Sequence, residues 1–235
     1  MLYISPPFGN YISYKEAIRI EGTFTWKRRK GLIYNTIRSL RPVRGGWRNQ
    51  IGFRNKGIAA RLRSPWYPNK IISISAMKPE DWALLCDYIP SENSLELNLS
   101  CPNVNEIDIT PKDLTAFVDK FPKLQVKLPP IKERIWTMLE LCESAGVTQI
   151  HLSNTIPTPK GGISGGQLKK INLDLVEFFA REWARTIVAG GGIYSEQDII
   201  DYRNAGATHF SISTVFLSRP LCIAKIYKEA FRNVN

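Results

Sequence analysis

The chain reads as an α/β protein of the (β/α)8 TIM-barrel class. Three observations predict this. Short runs rich in Ile, Leu and Val alternate with helical stretches, which implies parallel strands joined by helical crossovers. Within the later runs polar and apolar residues alternate, so one strand face is polar. An open doubly wound sheet, covered on both faces, reads instead as continuous apolar runs. The length of 235 residues suits one such barrel and is short for two ordinary domains with a linker. Residues 1–235 are therefore expected to form a single barrel domain.

The elements follow in order. A first strand at 2–5 runs into the loop Pro6-Pro7-Phe8-Gly9-Asn10, and a short helix around 14–18 leads to a second strand at 18–23. A long basic segment over 27–64 holds a helix at 32–40 and the polar turn from Trp47 to Gly57. It is too long for a plain connection, so it should carry function or extra structure. The third strand is 71–75, with a helix over 79–88 that has Glu80 and Asp81 in its first turn. The fourth strand, from Leu95, ends in Ser100-Cys101-Pro102-Asn103. The next helix starts at Thr110-Pro111, a Thr N-cap with proline in the first helical position. Strand five at 124–128 stops at Pro129-Pro130, and a helix over 131–144 ends at Ala145-Gly146. Strands six, seven and eight fall at 148–153, 186–189 and 209–213, with helices at 195–204 and within 220–231.

Side chains alternate faces along a strand. Leu95, Leu97 and Leu99 share one face; Glu96, Asn98 and Ser100 share the other. The same alternation sets Gln125 and Lys127 against Val126 and Leu128, and His151 against Ile150 and Leu152. The polar faces suit a barrel lumen that meets a polar ligand at one rim. In such barrels the site lies at the C-terminal strand ends. There the chain carries Asn98, Cys101 and Asn103, then Lys127, Asn154, Thr155, Gly190 to Gly192, Ser213 and Thr214. Gly161-Gly162-Ile163-Ser164-Gly165-Gly166 and Gly190-Gly191-Gly192 are built like phosphate loops, since glycine lets backbone N–H groups approach an anion. Lys127 either pairs with Glu96 on the neighbouring strand or holds an anionic part of a cofactor.

Composition narrows the function classes. No apolar run reaches the roughly 18–20 residues needed to cross a bilayer. The N-terminus lacks a basic region followed by an apolar one, so a cytoplasmic protein with no membrane partner is expected. Cys86, Cys142 and Cys222 lie in apolar helical stretches and read as small buried hydrophobes. With two histidines and no Cys/His cluster, a metal site is not expected. The net charge of +11 is concentrated in the first third, from Lys27-Arg28-Arg29-Lys30 to Arg63. It fits either a solvated basic face or attraction to an anion, and no nucleic-acid motif accompanies it.

These motifs, in order over nearly the whole chain, resemble the dihydroorotate dehydrogenases, FMN-dependent barrels. The likeness includes Asn49-Gln50-Ile51-Gly52-Phe53-Arg54-Asn55-Lys56-Gly57, Asn98-Leu99-Ser100-Cys101-Pro102-Asn103, Val126-Lys127-Leu128-Pro129-Pro130, Ser153-Asn154-Thr155 and the two glycine clusters. The resemblance implies that Cys101 takes a proton from C5 of dihydroorotate while hydride passes from C6 to flavin N5. It implies that Asn49, Asn98, Asn103, Asn154 and Thr155 bind the orotate ring and carboxylate. Lys127 and Thr23 would neighbour the flavin, and Gly162, Gly165, Gly191, Gly192, Ser213 and Thr214 would bind its phosphate. A cysteine base points to the soluble class, with a soluble electron acceptor or a partner flavoprotein subunit, and a homodimer is allowed. Asn10 stands where the membrane-associated class has lysine, and the segment after Asn103 is short. Two alternatives stay open: a dihydrouridine synthase-like enzyme acting on tRNA, and a non-catalytic flavin-binding relative.

Overall fold

A computed structural model of the protein describes residues 1–64, 69–99, 109–131, 134–152, 154–183 and 185–232. Its strands, in chain order, are β1 (Leu2–Ile4), β2 (Ile18–Phe24), β3 (Arg41–Val43), β4 (Gly46–Asn49), β5 (Lys70–Ile74) and β6 (Ser94–Asn98). They continue with β7 (Leu124–Leu128), β8 (Gln149–Leu152), β9 (Gly162–Gly165), β10 (Thr186–Gly190) and β11 (His209–Ile212). The helices are α1 (Leu32–Ser39), α2 (Ile58–Leu62), α3 (Asp81–Tyr88), α4 (Pro111–Lys120), α5 (Ile135–Ser144), α6 (Leu168–Glu182), α7 (Glu196–Asn204), α8 (Val215–Ser218) and α9 (Ile223–Ala230).

Eight strands close into a barrel in the order β1-β11-β10-β8-β7-β6-β5-β2, and each neighbouring pair is parallel. These are the eight strands expected from the alternation. Their outward apolar residues, such as Leu95, Leu97, Val126, Ile150 and Ile187, pack with Trp82, Phe117, Phe179 and Tyr202 of the helices. Each such fully buried side chain contributes about 1.5–3 kcal/mol. Local signals start the helices: the Thr110 hydroxyl accepts the Asp113 N–H ahead of α4, and Ser195 does the same for Asp198 ahead of α7.

The lumen is layered. Tyr3, Ile20, Ile71 and Val188 form a small apolar cluster apart from the outer core. Polar residues fill the rest: Ser73, Glu96, Gln125, His151 and Ser211 are all buried.

Two parts differ from expectation. Residues 14–18 form no helix; a 3-10 turn at Phe8–Asn10 replaces it, because β2 already begins at Ile18 and leaves no room for a second helical turn. The long basic segment holds a hairpin, β3 and β4, which β9 extends into a three-stranded antiparallel sheet. Arg44-Gly45 makes its turn, with Gly45 at φ +77°. No helix among the described residues is long and apolar enough to cross a membrane.

Candidate active site

The C-terminal strand ends converge on one cavity. Lys127 from β7, Asn154 and Thr155 after β8, Gly191 and Gly192 after β10, and Ser213 and Thr214 after β11 all line it. These seven residues were each expected at the site, and the barrel brings them together. Ser164 of β9 also lines the cavity, so the side sheet forms part of its wall.

Beside it, β2, β5 and β6 share a hydrogen-bonded cluster. Asn98 Nδ2 donates to Thr23 Oγ1 at 2.8 Å, Thr23 Oγ1 meets Ser73 Oγ at 3.1 Å, and Ser75 Oγ donates to the Asn98 carbonyl at 2.9 Å. Thr23 and Asn98 therefore act as a unit. Asn10 is structural: its Oδ1 accepts the Gly22 N–H at 2.9 Å, and Arg19 Nε donates to the neighbouring Gly9 carbonyl.

Below the cavity floor lies a buried charge. Glu96 Oε2 accepts from Gln125 Nε2 at 2.6 Å and meets His151 Nδ1 at 2.7 Å. The chain continues through Gln149, which donates to Gln125 Oε1 and to the Tyr3 hydroxyl. Burial disfavours the Glu96 carboxylate, but the charges of His151 and Lys127 outweigh it and hold Glu96 well below the usual carboxylate range. Burial pushes His151 down, toward its neutral form. Glu96 is thus ionised, facing Lys127 and accepting Nδ1–H from His151. Lys127 lies within the field of Glu96 and lines the cavity.

The glycine turn after β10 is held from behind, by residues that sequence reasoning missed. Asn172 Nδ2 donates to the Gly190 carbonyl at 2.7 Å, and the Tyr202 hydroxyl donates to the Gly191 carbonyl at 2.6 Å. Both side chains are buried on helices α6 and α7, where they read as ordinary helical positions. Gly191 and Gly192 sit at φ +87° and +75°. A Cβ on Gly191 would lie 2.4 Å from Asn172 Nδ2, which cannot swing away. Gly191→Ala is therefore expected to cost about 2–3 kcal/mol, lowering the thermal midpoint by about 5–10 °C. An unchanged melting curve would show that the turn yields freely.

Gly162 and Gly165 call for a correction. They do not lie in an open loop but in β9, paired with Asn49 and Gly46 of β4. A Cβ on Gly165 would meet the Gly45 carbonyl oxygen at 2.6 Å and the Gly46 Cα at 2.7 Å, so close strand contact explains this glycine. Asn49 sits on β4, outside the set that lines the cavity. Cys101 and Asn103 lie outside the described residues. Leu99, just ahead of them, still donates its N–H to the Lys127 carbonyl at 3.1 Å. Cys86 and Cys142 are buried as expected, and Cys222 is half-buried. Burial pushes the Cys142 thiol up to about 12, which leaves it inert. No metal-binding cluster of His, Cys, Asp or Glu occurs among the described residues.

The family model for dihydroorotate dehydrogenase matches residues 17–233, nearly the full span of this barrel. The chain belongs to the dihydroorotate dehydrogenase family. It is similar to the catalytic subunit of dihydroorotate dehydrogenase B (NAD(+)) from Geobacillus sp., 29% identical over 217 residues, covering 79% of this chain and 69% of that one. The matching subunit from Bacillus cytotoxicus is 29% identical over 217 residues, covering 79% and 70%. Among solved structures, ligand-free DHODH from Eimeria tenella superposes with a TM-score of 0.73 at 18% identity, covering 100% of this chain and 84% of that one. At that identity it speaks to the fold, which is the barrel common to dihydroorotate dehydrogenases.

Proposed function

We propose that the chain binds FMN and oxidises dihydroorotate, or a close dihydropyrimidine, to orotate in pyrimidine biosynthesis, with residues 1–235 working as one cytoplasmic barrel domain. The observation that carries this reading is the cavity at the barrel mouth, lined by Lys127, Asn154, Thr155, Gly191, Gly192, Ser213 and Thr214, in a chain of this family.

The lining suits an anionic, aromatic cofactor. No Asp or Glu is among its described residues, while hydroxyls, a cation and two positive-φ glycines are. Gly191, Gly192, Ser213 and Thr214 would hold a phosphate, with β9 flanking them through Ser164. Lys127 and Thr23 would hold the ring system. When bound, the flavin supplies the two-electron acceptor. The residues of this chain do the rest. Asn98, Asn103, Asn154 and Thr155, with Asn49 from the side sheet, orient the substrate ring and its carboxylate. Cys101 Sγ takes the proton from the ring carbon. A thiol pKa of about 8.5 needs only modest lowering for that task near neutrality. The relatives from Geobacillus and Bacillus are named as catalytic subunits, which supports a second, electron-accepting subunit as partner. A small soluble acceptor and a homodimer are the simpler arrangements.

The purified protein is expected to be yellow and to release FMN on denaturation. Anaerobic dihydroorotate should bleach that colour. A colourless protein without flavin affinity would overturn the proposal. A yellow protein that dihydroorotate leaves oxidised would favour the non-catalytic alternative, and turnover on tRNA would favour the dihydrouridine synthase one.

A further inference from the structure

Helix α1 is turned inside out. Amphipathic helices place their apolar stripe toward the core. Here Asn35, Thr36 and Ser39 are the partly buried positions, and Ser39 Oγ accepts the Gln50 N–H at 2.9 Å. Ile33, Ile37 and Tyr34 point outward, 75%, 72% and 63% exposed, with Leu32 also exposed. The helix has no buried residue. Apolar surface gathered on one helix face marks a contact site.

The charge around it is of one sign. No Asp or Glu stands between Glu21 and Glu80. Arg28, Lys30, Arg38, Arg41 and Arg44 are exposed on or beside the helix. Arg38 lies 6.0 Å from the Tyr34 ring centre and donates to its hydroxyl, while Arg41 donates to the Ile37 and Leu40 carbonyls. Arg38 and Arg41 thus sit against the helix itself, and the segments that flank it in the chain add further exposed cations.

We propose that α1 and its basic rim dock the protein on an anionic phospholipid surface, the helix lying in the headgroup layer without crossing it. Such a surface satisfies both halves: the acyl boundary takes Ile33, Ile37 and Leu32, and the headgroups take Arg and Lys. A second copy of this chain would bring two like-charged rims together. Nucleic acid would find one tyrosine among aliphatic side chains, where its bases need a run of aromatic stacking partners. The expected absence of a membrane partner rested on the lack of a spanning run, which a surface-bound helix does not need.

The test is cosedimentation of the full chain, as purified, with vesicles of phosphatidylcholine alone or mixed with phosphatidylglycerol. Binding should appear with the anionic vesicles and weaken as salt rises. The pair Ile33→Ser and Ile37→Ser, both on the surface and away from the cavity, should weaken it by about tenfold or more with an unchanged melting curve. Arg38→Gln should weaken it less. Absence of binding to anionic vesicles overturns the proposal, as does equal binding to neutral ones. So does undiminished binding of the serine pair, which would leave only general charge attraction. A concentration-dependent dimer lost in that pair, or capture by polyglutamate alone, without vesicle binding, assigns the face to a protein partner and overturns it equally.

Discussion

Replacing Cys101 by alanine is expected to slow dihydroorotate-driven bleaching of bound flavin by about 10²–10⁴-fold while leaving flavin affinity unchanged. The argument is one of chemistry. Oxidation of the ring removes a proton and a hydride from adjacent carbons, and the described residues of the cavity lining include no carboxylate or histidine to take the proton. Its Lys127 lies within the field of Glu96, a setting that suits a cation rather than a proton acceptor. Cys101 is the base proposed for that proton, and it follows the strand whose end, Leu99, pairs with Lys127. Cys101→Ser would test the same point more gently, because a hydroxyl in that place holds its proton far more tightly than a thiol. A wild-type bleaching rate in Cys101→Ala, measured by anaerobic stopped flow, would remove Cys101 from the mechanism.

Glu96→Ala is expected to destabilise the fold by about 3–5 kcal/mol. The loss would strand three partners at once: Gln125, His151 and the charge of Lys127. Glu96 and His151 are both fully buried, so water cannot replace what is removed. The pair also sets the acid response. Glu96 is held at about 2 against an ordinary 4.5, and His151 is lowered from 6.5. In both cases the unfolded chain binds protons at a pH where the folded chain does not, so stability rises with pH. The contribution of neutral His151 is complete above about 6.5 and falls as acid is added. That of Glu96 is complete above about 4.5 and is lost on the way to about 2. Urea midpoints measured across a pH series should fall from near 6.5 downward. His151→Gln should flatten the upper part of that decline. A profile unchanged by this substitution would separate the histidine from acid stability.

The parts legible in the sequence were those with a short period. Alternation along residues 95–99, 124–128 and 149–152 placed Glu96, Asn98, Lys127 and His151 in the lumen, where the structure has them. The glycine turn at 190–192 was legible because only glycine accepts two consecutive positive φ angles at ease. What escaped depends on partners far away in the chain. Gly162 to Gly165 looks like an open loop until β4, more than a hundred residues earlier, lies against it. Asn172 and Tyr202 look like helix surface or core until the turn they support is in view. The apolar residues of α1 were legible as a helix, but their period could not say which side would face out. Cys101 and Asn103 rest on the motif alone.

The pairing of β4 with β9 also bears on the order in which the molecule takes shape. The hairpin at 41–49 leaves the ribosome early, yet the strand that completes its sheet is Gly162–Gly165, and Trp47 waits further for Ser218. A two-stranded ribbon alone is marginal in water, and contacts so distant along the chain are slow to form. The wall of the cavity is therefore a late-folding part, assembled after the strands it stands on. In a nascent chain, the basic hairpin therefore stays open to a chaperone or a protease until Gly162–Gly165 pairs with it.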